Sequence, residues 1–516
     1  MLKLLFLILA IPISGIVTNQ RSGKGIEGVV VSDGYHCTVT DSNGRYSLDA
    51  DSLARTVSIT VPAEYEILLG KDGQPAFFKY IGDEDLNFRL KARRKVSDKF
   101  TLIAVSDAHV RDSMNVNRFF SESIPDIQRT IKQHHRDGQV IGITLGDQLW
   151  DVMDRAPVIK KGFTSFKLRR STVPFFYCIG NHDHDNKGGK SEYAVTEHFV
   201  RNFGPTDYSF DIGNAHFVVM DDIQYTGTQR DGIKISYTTG LNDTQMKWLR
   251  EDLALVRDKK DKVVVFCIHS ALYGRFAHKP EVKALLEEFA EAHVLSGHEH
   301  NINNVFHDEG RIWEHNIQAL CGAWWFSNLS PSGCPLGYGV LGFNVPSLAW
   351  EYNKATTEDA GFQMRVYSGN DSYGPDTPFS GVKPEEAKRD KVYGWPENLK
   401  GHFVVRVWNG TRDWEVKFVQ NGVETPMKQT DAKFFDACSA AYMVDMFGGP
   451  YGGSRIYKAN VDAFWTIPAP SGDPALEKDW EIVATHRMPS GRTETYSSKT
   501  LMRDYRGFAT GTHYVR

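Results

Sequence analysis

Cysteine is scarce, with six in 516 residues, at positions 37, 178, 267, 321, 334 and 438. So few thiols, so widely spread, exclude a disulfide scaffold. Long apolar runs are also missing. Beyond the first residues no segment reaches the roughly 18 uninterrupted apolar residues of a membrane-crossing helix, so no transmembrane segment is expected in the mature chain. Charge of one sign is not concentrated either: the formal net charge is −4, with Lys and Arg scattered. That leaves no basic footprint for nucleic acid. The one cluster, Lys91-Ala92-Arg93-Arg94-Lys95, falls in a connector and reads as solvated. Internal repeats and low-complexity runs do not occur. A chain of this length without them divides into two to four domains.

What the middle of the chain does have is a recurring pattern. TLIAV (101–105) leads into Asp107 and His109, and VIGITL (140–145) into Gly146-Asp147. PFFYCI (174–179) leads into Gly180-Asn181-His182-Asp183. VVVFCI (263–268) runs into His269, and AHVLS (292–296) into Gly297-His298-Glu299-His300. Strands buried on both faces read as continuous apolar runs, and ligands gather where their carboxyl ends emerge. Five such ends delivering Asp, Asn or His should converge on one cleft.

The donors suit divalent ions. Carboxylate, amide oxygen and imidazole favour Mn, Fe, Co or Zn, and no Cys stands at a ligand position. Seven ligands exceed the needs of one tetrahedral ion, whereas two ions about 3.5–4 Å apart with a shared carboxylate would use them all. Taken singly, an Asp or Asn after a strand is more often a turn former, and a lone His a satisfied core or surface residue. That bland reading is kept for His134, His135, His184, His198, His216, His278, His293 and His307.

In order and kind, Asp107-x-His109, Gly146-Asp147, Gly180-Asn181-His182-Asp183, His269 and Gly297-His298-x-His300 resemble the five blocks of the calcineurin-like metallophosphoesterases. The resemblance implies that Asp107, His109 and His300 bind a first metal. Asn181, His269 and His298 bind a second, and Asp147 bridges the two. It makes His182 the general acid that protonates the leaving alkoxide, and Asp183 a support of its loop. Asn181 also touches substrate, and a metal-bridging hydroxide attacks phosphorus. One block departs from the protein-phosphatase pattern GDxxDRG: Asp151 stands one residue late and Arg155 four beyond it. The resemblance therefore does not carry the His-orienting and phosphate-clamping roles to these two residues. The chain is not assigned to the Ser/Thr protein phosphatases.

The reading that follows has four segments. Residues 1–14 form an export signal, with Lys3 followed by a short apolar run from Leu4 to Ile13. Such a run is too short to span a bilayer. Residues 15–97 form a β-domain of short strands and Asp/Asn-Gly turns, resembling immunoglobulin-like carboxypeptidase regulatory modules. Residues 98–354 form an α/β catalytic domain, with helices expected at 119–135 and 242–257, the latter capped by Thr244. The family resemblance makes it a four-layer α/β/β/α core, two mixed sheets face to face with helices outside. Residues 355–516 return to β, with strands expected at 361–367, 402–408, 414–419, 461–467 and 480–485. This all-β, α/β, all-β order resembles a bacterial extracytoplasmic subgroup of the family, implying a periplasmic or secreted location. Trp324 and Trp325 read as glue between domains, and Cys321 and Cys334 are close enough in sequence to pair if the protein is exported.

The function expected is an exported, dinuclear metal-dependent hydrolase of phosphate esters. Monoesterase and diesterase both fit. The alternative outside enzymes is an envelope- or carbohydrate-binding protein with a vestigial metal site.

Overall fold

The computed structural model describes residues 10–168, 171–189, 191–230, 234–307, 310–321, 333–373, 393–430, 436–437 and 464–502. Two sheets make its centre. The first has five strands in the order Phe175–Cys178, Gln139–Leu145, Lys99–Val105, Gly337–Asn344, Ser347–Ala355; the first three run parallel, and each of the last two is antiparallel to the strand before it. The second has six, in the order Tyr208–Ile212, Ala215–Val219, Val263–Cys267, Glu291–Ser296, Ile312–Asn316, Asn303–His307. Its four middle strands are parallel and the edge strands antiparallel.

Residue alternation along a strand decides which layer each side chain joins. Leu102, Ala104, Ile141, Ile143 and Phe176 pack inward against Phe217, Val219, Val263 and Val265 of the other sheet. Ile103, Val105, Phe175 and Tyr177 face outward and bury the helices Ile124–His134, Ala156–Phe163 and Glu192–Phe203. On the far side, Val218, Val264, Phe266 and Val294 do the same for Asp243–Leu255 and Lys279–Leu286. The result is a four-layer α/β/β/α core. Both faces of each sheet are covered, which is why the strands read as continuous apolar runs.

Two helical expectations need correction. The helix expected over 119–135 starts earlier, at Ser113, and runs as Ser113–Arg118, a π turn over Phe119–Ser123, and Ile124–His134. Pro125 stands in the first turn of the last piece, where its missing N–H is tolerated. The second helix is capped by Asn242, not Thr244: the Asn242 side chain accepts from Gln245 N and the Gln245 side chain from Asn242 N. A reciprocal capping box two residues earlier satisfies two otherwise orphaned N–H groups.

β-domains flank the core on both sides. Residues 11–92 form two four-stranded sheets whose Ile13, Val17, Val31, Val57 and Leu90 merge into the same apolar cluster as the inter-sheet core. A further tie is polar: Trp248 Nε1, on a core helix, donates to Ser32 Oγ of the N-terminal domain at 2.7 Å. The N-terminal domain's first strand, Ile11–Asn19, pairs Ile11 with Ala50 and Ile13 with Leu48, and Ile13 is buried. The signal boundary drawn after Ser14 therefore falls inside a strand and is corrected, because the apolar run extends past the leader-like residues into a core-facing edge. Residues 1–9 lie outside the described residues.

After the core, two antiparallel four-stranded sheets pack Val366, Phe403 and Val405 against Val416, Phe418 and Ile482. Their strands include Met364–Ser368, His402–Val407, Glu415–Gln420, Phe464–Pro468 and Trp480–Arg487. Residues 461–463 of one expected strand lie outside the described residues, as do Trp324, Trp325 and Cys438. Cys321 and Cys334 do not pair. Both thiols are buried, the first against Ser123 Oγ and the second accepting from Ile302 N and donating to Asn301 Oδ1.

Candidate metal centre

The carboxyl ends of five parallel strands deliver all seven expected ligand residues to one place. Three mixed groups of ligand atoms, each mutually within 4.8 Å, share members: Asp107, His109 and His300; His109, Asp147 and His182; Asp147, His269 and His298. Asp147 belongs to two of them. Its Oδ2 lies 3.6 Å from His109 Nε2 and 3.3 Å from His269 Nε2. Asn181 joins through Oδ1, 3.1 Å from His269 Nε2, and His298 Nδ1 is 3.1 Å from that same nitrogen. His300 Nε2 stands 3.0 Å from His109 Nε2 and 3.2 Å from Asp107 Oδ1.

Backbone strain marks the cluster. Among described residues, eleven non-glycine positions have positive φ, and six of them are Asp107, His109, Asp147, Asp151, His298 and His300. Each costs on the order of 1–3 kcal/mol and persists only where the surroundings enforce it. The block glycines let the loops approach: a Cβ on Gly180 would lie 2.3 Å from Asp147 N, and one on Gly297 1.7 Å from Ser106 Oγ.

Donor chemistry fits cations. His269 Nδ1–H donates to Leu145 O at 2.8 Å, which turns its Nε2 toward the cluster. Asp107 Oδ1 is buried and accepts no hydrogen bond. Burial holds His109 down at about 4, and burial with the neighbouring His269 does the same for His298, so both rings offer lone pairs at neutral pH. For Asp107 and Asp147 burial pushes upward, but the surrounding imidazoles outweigh it and keep both carboxylates ionised. His269 goes the other way: burial lowers it, yet Asp147 outweighs that and raises it to about 10.

A supporting shell surrounds these residues. Asp183 accepts from Gly180 N and Leu149 N at 3.0 and 2.8 Å, clamping two ligand loops together. Burial and the Asp147 charge raise its carboxyl to about 7. Asp222 accepts from His269 N and Ser270 N at 2.7 and 2.9 Å. Asn316 Nδ2 holds Gly297 O at 2.6 Å. Asp222 was missed in sequence although the signal was there: the strand Ala215–Val219 also ends in acidic residues, Asp221-Asp222.

The misplaced acidic block resolves in favour of Asp151. Its Oδ1 lies 3.0 Å from His182 Nδ1, because its left-handed backbone, φ 55°, turns the late residue back toward the histidine. Arg155 does not reach the cluster region this way; its Nε donates to Arg111 O at 2.6 Å. His184 is a satisfied core histidine: it is buried beside Asp221 and Glu192, and its Nδ1 donates to Gly180 O. His216 is likewise buried between Asp211 and Asp252.

Comparison with protein families finds three adjoining matches. Residues 11–93 match the N terminal of Calcineurin-like phosphoesterase, residues 100–301 Calcineurin-like phosphoesterase, and residues 314–488 the C terminal of Calcineurin-like phosphoesterase. No curated protein matches the chain. Among solved structures, a dimetal phosphatase from Danio rerio is 13% identical, covering 50% of this chain and 96% of its own, with a TM-score of 0.34. A purple acid phosphatase from yellow lupin (Lupinus luteus) seeds is 14% identical, covering 67% of each chain, with a TM-score of 0.36. A 5'-nucleotidase from Candida albicans is 13% identical over 48% of this chain and 47% of its own, with a TM-score of 0.29.

Proposed function

Given that the chain belongs to the calcineurin-like phosphoesterases, we propose that it hydrolyses phosphate esters at a dinuclear site built from Asp107, His109, Asp147, Asn181, His269, His298 and His300. The observation that carries this reading is the shared position of Asp147 between two ligand groups. Asp107, His109 and His300 form one half, Asn181, His269 and His298 the other. Two bound divalent ions supply a water made acidic near neutral pH and neutralise phosphate oxygens.

The chain's own residues do the rest. Asp147 holds the two halves in register, and its Oδ1 accepts from His182 N at 2.7 Å, tying the acid-bearing loop to the cluster. Asn181, through its amide, faces both the second half and the substrate. His182 delivers a proton to the leaving oxygen as the P–O bond breaks, and Asp151 holds the ring at Nδ1 for that transfer. Such a proton removes the need to expel an alkoxide, the costliest leaving group.

We place the enzyme outside the cytoplasm. Lys3 and the apolar residues after it support export, and a cut before Ile11 would keep the first strand whole. Intact mass of the mature protein tests this; a chain retaining Met1 through Ala10 speaks against it.

The test of the activity is paired hydrolysis of p-nitrophenyl phosphate and bis(p-nitrophenyl) phosphate, with Mn²⁺ and with chelator. Chelator-sensitive turnover of either supports the proposal, and the faster ester assigns mono- or diesterase. Turnover indifferent to chelator contradicts it.

A further inference from the structure

Asp151 is poorly placed to orient a histidine by itself. Its side chain is one-third exposed, so nothing in its own burial stops the carboxylate from swinging to water. Yet one of its oxygens is held. Oδ1, the atom 3.0 Å from His182 Nδ1, accepts from Asn186 Nδ2 at 3.1 Å. The Asp151 N–H meanwhile donates to His182 O at 3.2 Å, so residue and partner are tied at both backbone and side chain.

Asn186 is in turn fixed from a distant part of the chain. Tyr225, on the strand Ile223–Arg230, places its hydroxyl 3.0 Å from Asn186 Oδ1 and 3.1 Å from Asn181 O. With the amide oxygen facing a hydroxyl, the amide nitrogen must face the carboxylate. Tyr225 is itself anchored, since its N–H donates to Glu192 Oε2 at 2.9 Å and its ring lies 4.8 Å from that of His184. One hydroxyl thus touches the loop carrying Asn181 and the residue that steadies Asp151.

We propose that Asn186 and Tyr225 are positioning residues for the proton donor His182, acting through Asp151. The proposal rests on His182 serving as general acid. Neither residue enters the seven-ligand set. Together they replace the local geometry lost when the acidic residue of the second block stands one position late. Their contribution is orientational, so it should grow as the leaving group becomes more basic and the proton matters more.

The experiment compares p-nitrophenyl with benzyl esters of phosphate, monoesters or diesters according to which the Mn²⁺-loaded wild type turns over. Asn186→Ala, Tyr225→Phe and His182→Asn are measured on both. For Asn186→Ala and Tyr225→Phe the expected result is a kcat loss of about 10-fold or more on the benzyl ester, under about 3-fold on the p-nitrophenyl ester, and KM little changed. Equal losses on both esters, or none, overturn the proposal when His182→Asn itself is selective for the benzyl ester. If His182→Asn loses equally on both, the general-acid reading falls and the proposal with it. Tyr225→Phe removes one hydroxyl only, which guards against an Asn186 variant that misfolds.

Discussion

Asp151 Oδ1 lies 3.0 Å from His182 Nδ1, joining a residue displaced by one position in its block to the candidate general acid. Removing the carboxylate takes away the acidic group that faces the imidazole at Nδ1. Asp151→Ala should lower kcat by about 10- to 100-fold on an alkyl ester while metal content stays unchanged. Steady-state kinetics together with elemental analysis check this; loss of metal along with activity would make Asp151 a ligand-shell residue instead.

Metal removal should unsettle the fold as well as stop turnover. Binding to the folded state alone contributes about 2.7 kcal/mol when a ligand is 100-fold above its Kd. Dialysis against chelator should therefore lower the melting temperature, and added Mn²⁺ should restore both stability and activity. A melting curve unmoved by chelator would mean that the cluster is not loaded under those conditions.

His216 provides a pH signature away from the site. Burial pushes it down, but Asp252 and Asp211, at 3.0 and 2.8 Å, outweigh this and raise it to about 9 from an ordinary 6.5. A folded value above the unfolded one stabilises fully below pH 6.5, and that stabilisation is lost as pH rises through about 9. The stability gap between wild type and His216→Gln should be widest in mild acid and close above pH 9, as read by urea melts. A gap that does not vary with pH would contradict the ion triad.

Trp248 is fully buried in the outer helical layer and donates to Ser32 of the N-terminal domain. Trp248→Ala should cost about 3–5 kcal/mol, and Trp248→Phe, which removes the Nε1 donor but leaves Ser32 Oγ its bond from Gly34 N, about 0.5–1.5 kcal/mol. Chemical denaturation measures both. A phenylalanine variant as stable as wild type would deny the inter-domain hydrogen bond any weight.

Much of the centre was legible because its signal is local. Each ligand loop follows a strand buried on both faces, and such strands announce themselves as apolar runs ending in a polar residue. Asp222 obeys the same rule after Ala215–Val219 but passes for a turn former, since its partners are backbone N–H groups 47 and 48 residues on. Asp151 was discounted by counting along the chain, which cannot foresee a left-handed residue that reverses the direction of a side chain. Asn186 and Tyr225 meet across 39 positions, a separation no motif encodes. The N-terminal boundary was misread for the opposite reason: a short apolar run looks the same as a leader or as a strand edge.

The central claim is that Asp147 unites two metal half-sites, and the rate of Asp147→Asn tests it most directly. The substitution keeps shape and removes the charge that both halves share. Measured on the preferred p-nitrophenyl ester with saturating Mn²⁺, turnover should fall by at least about 100-fold. Turnover near the wild-type rate would contradict the dinuclear account.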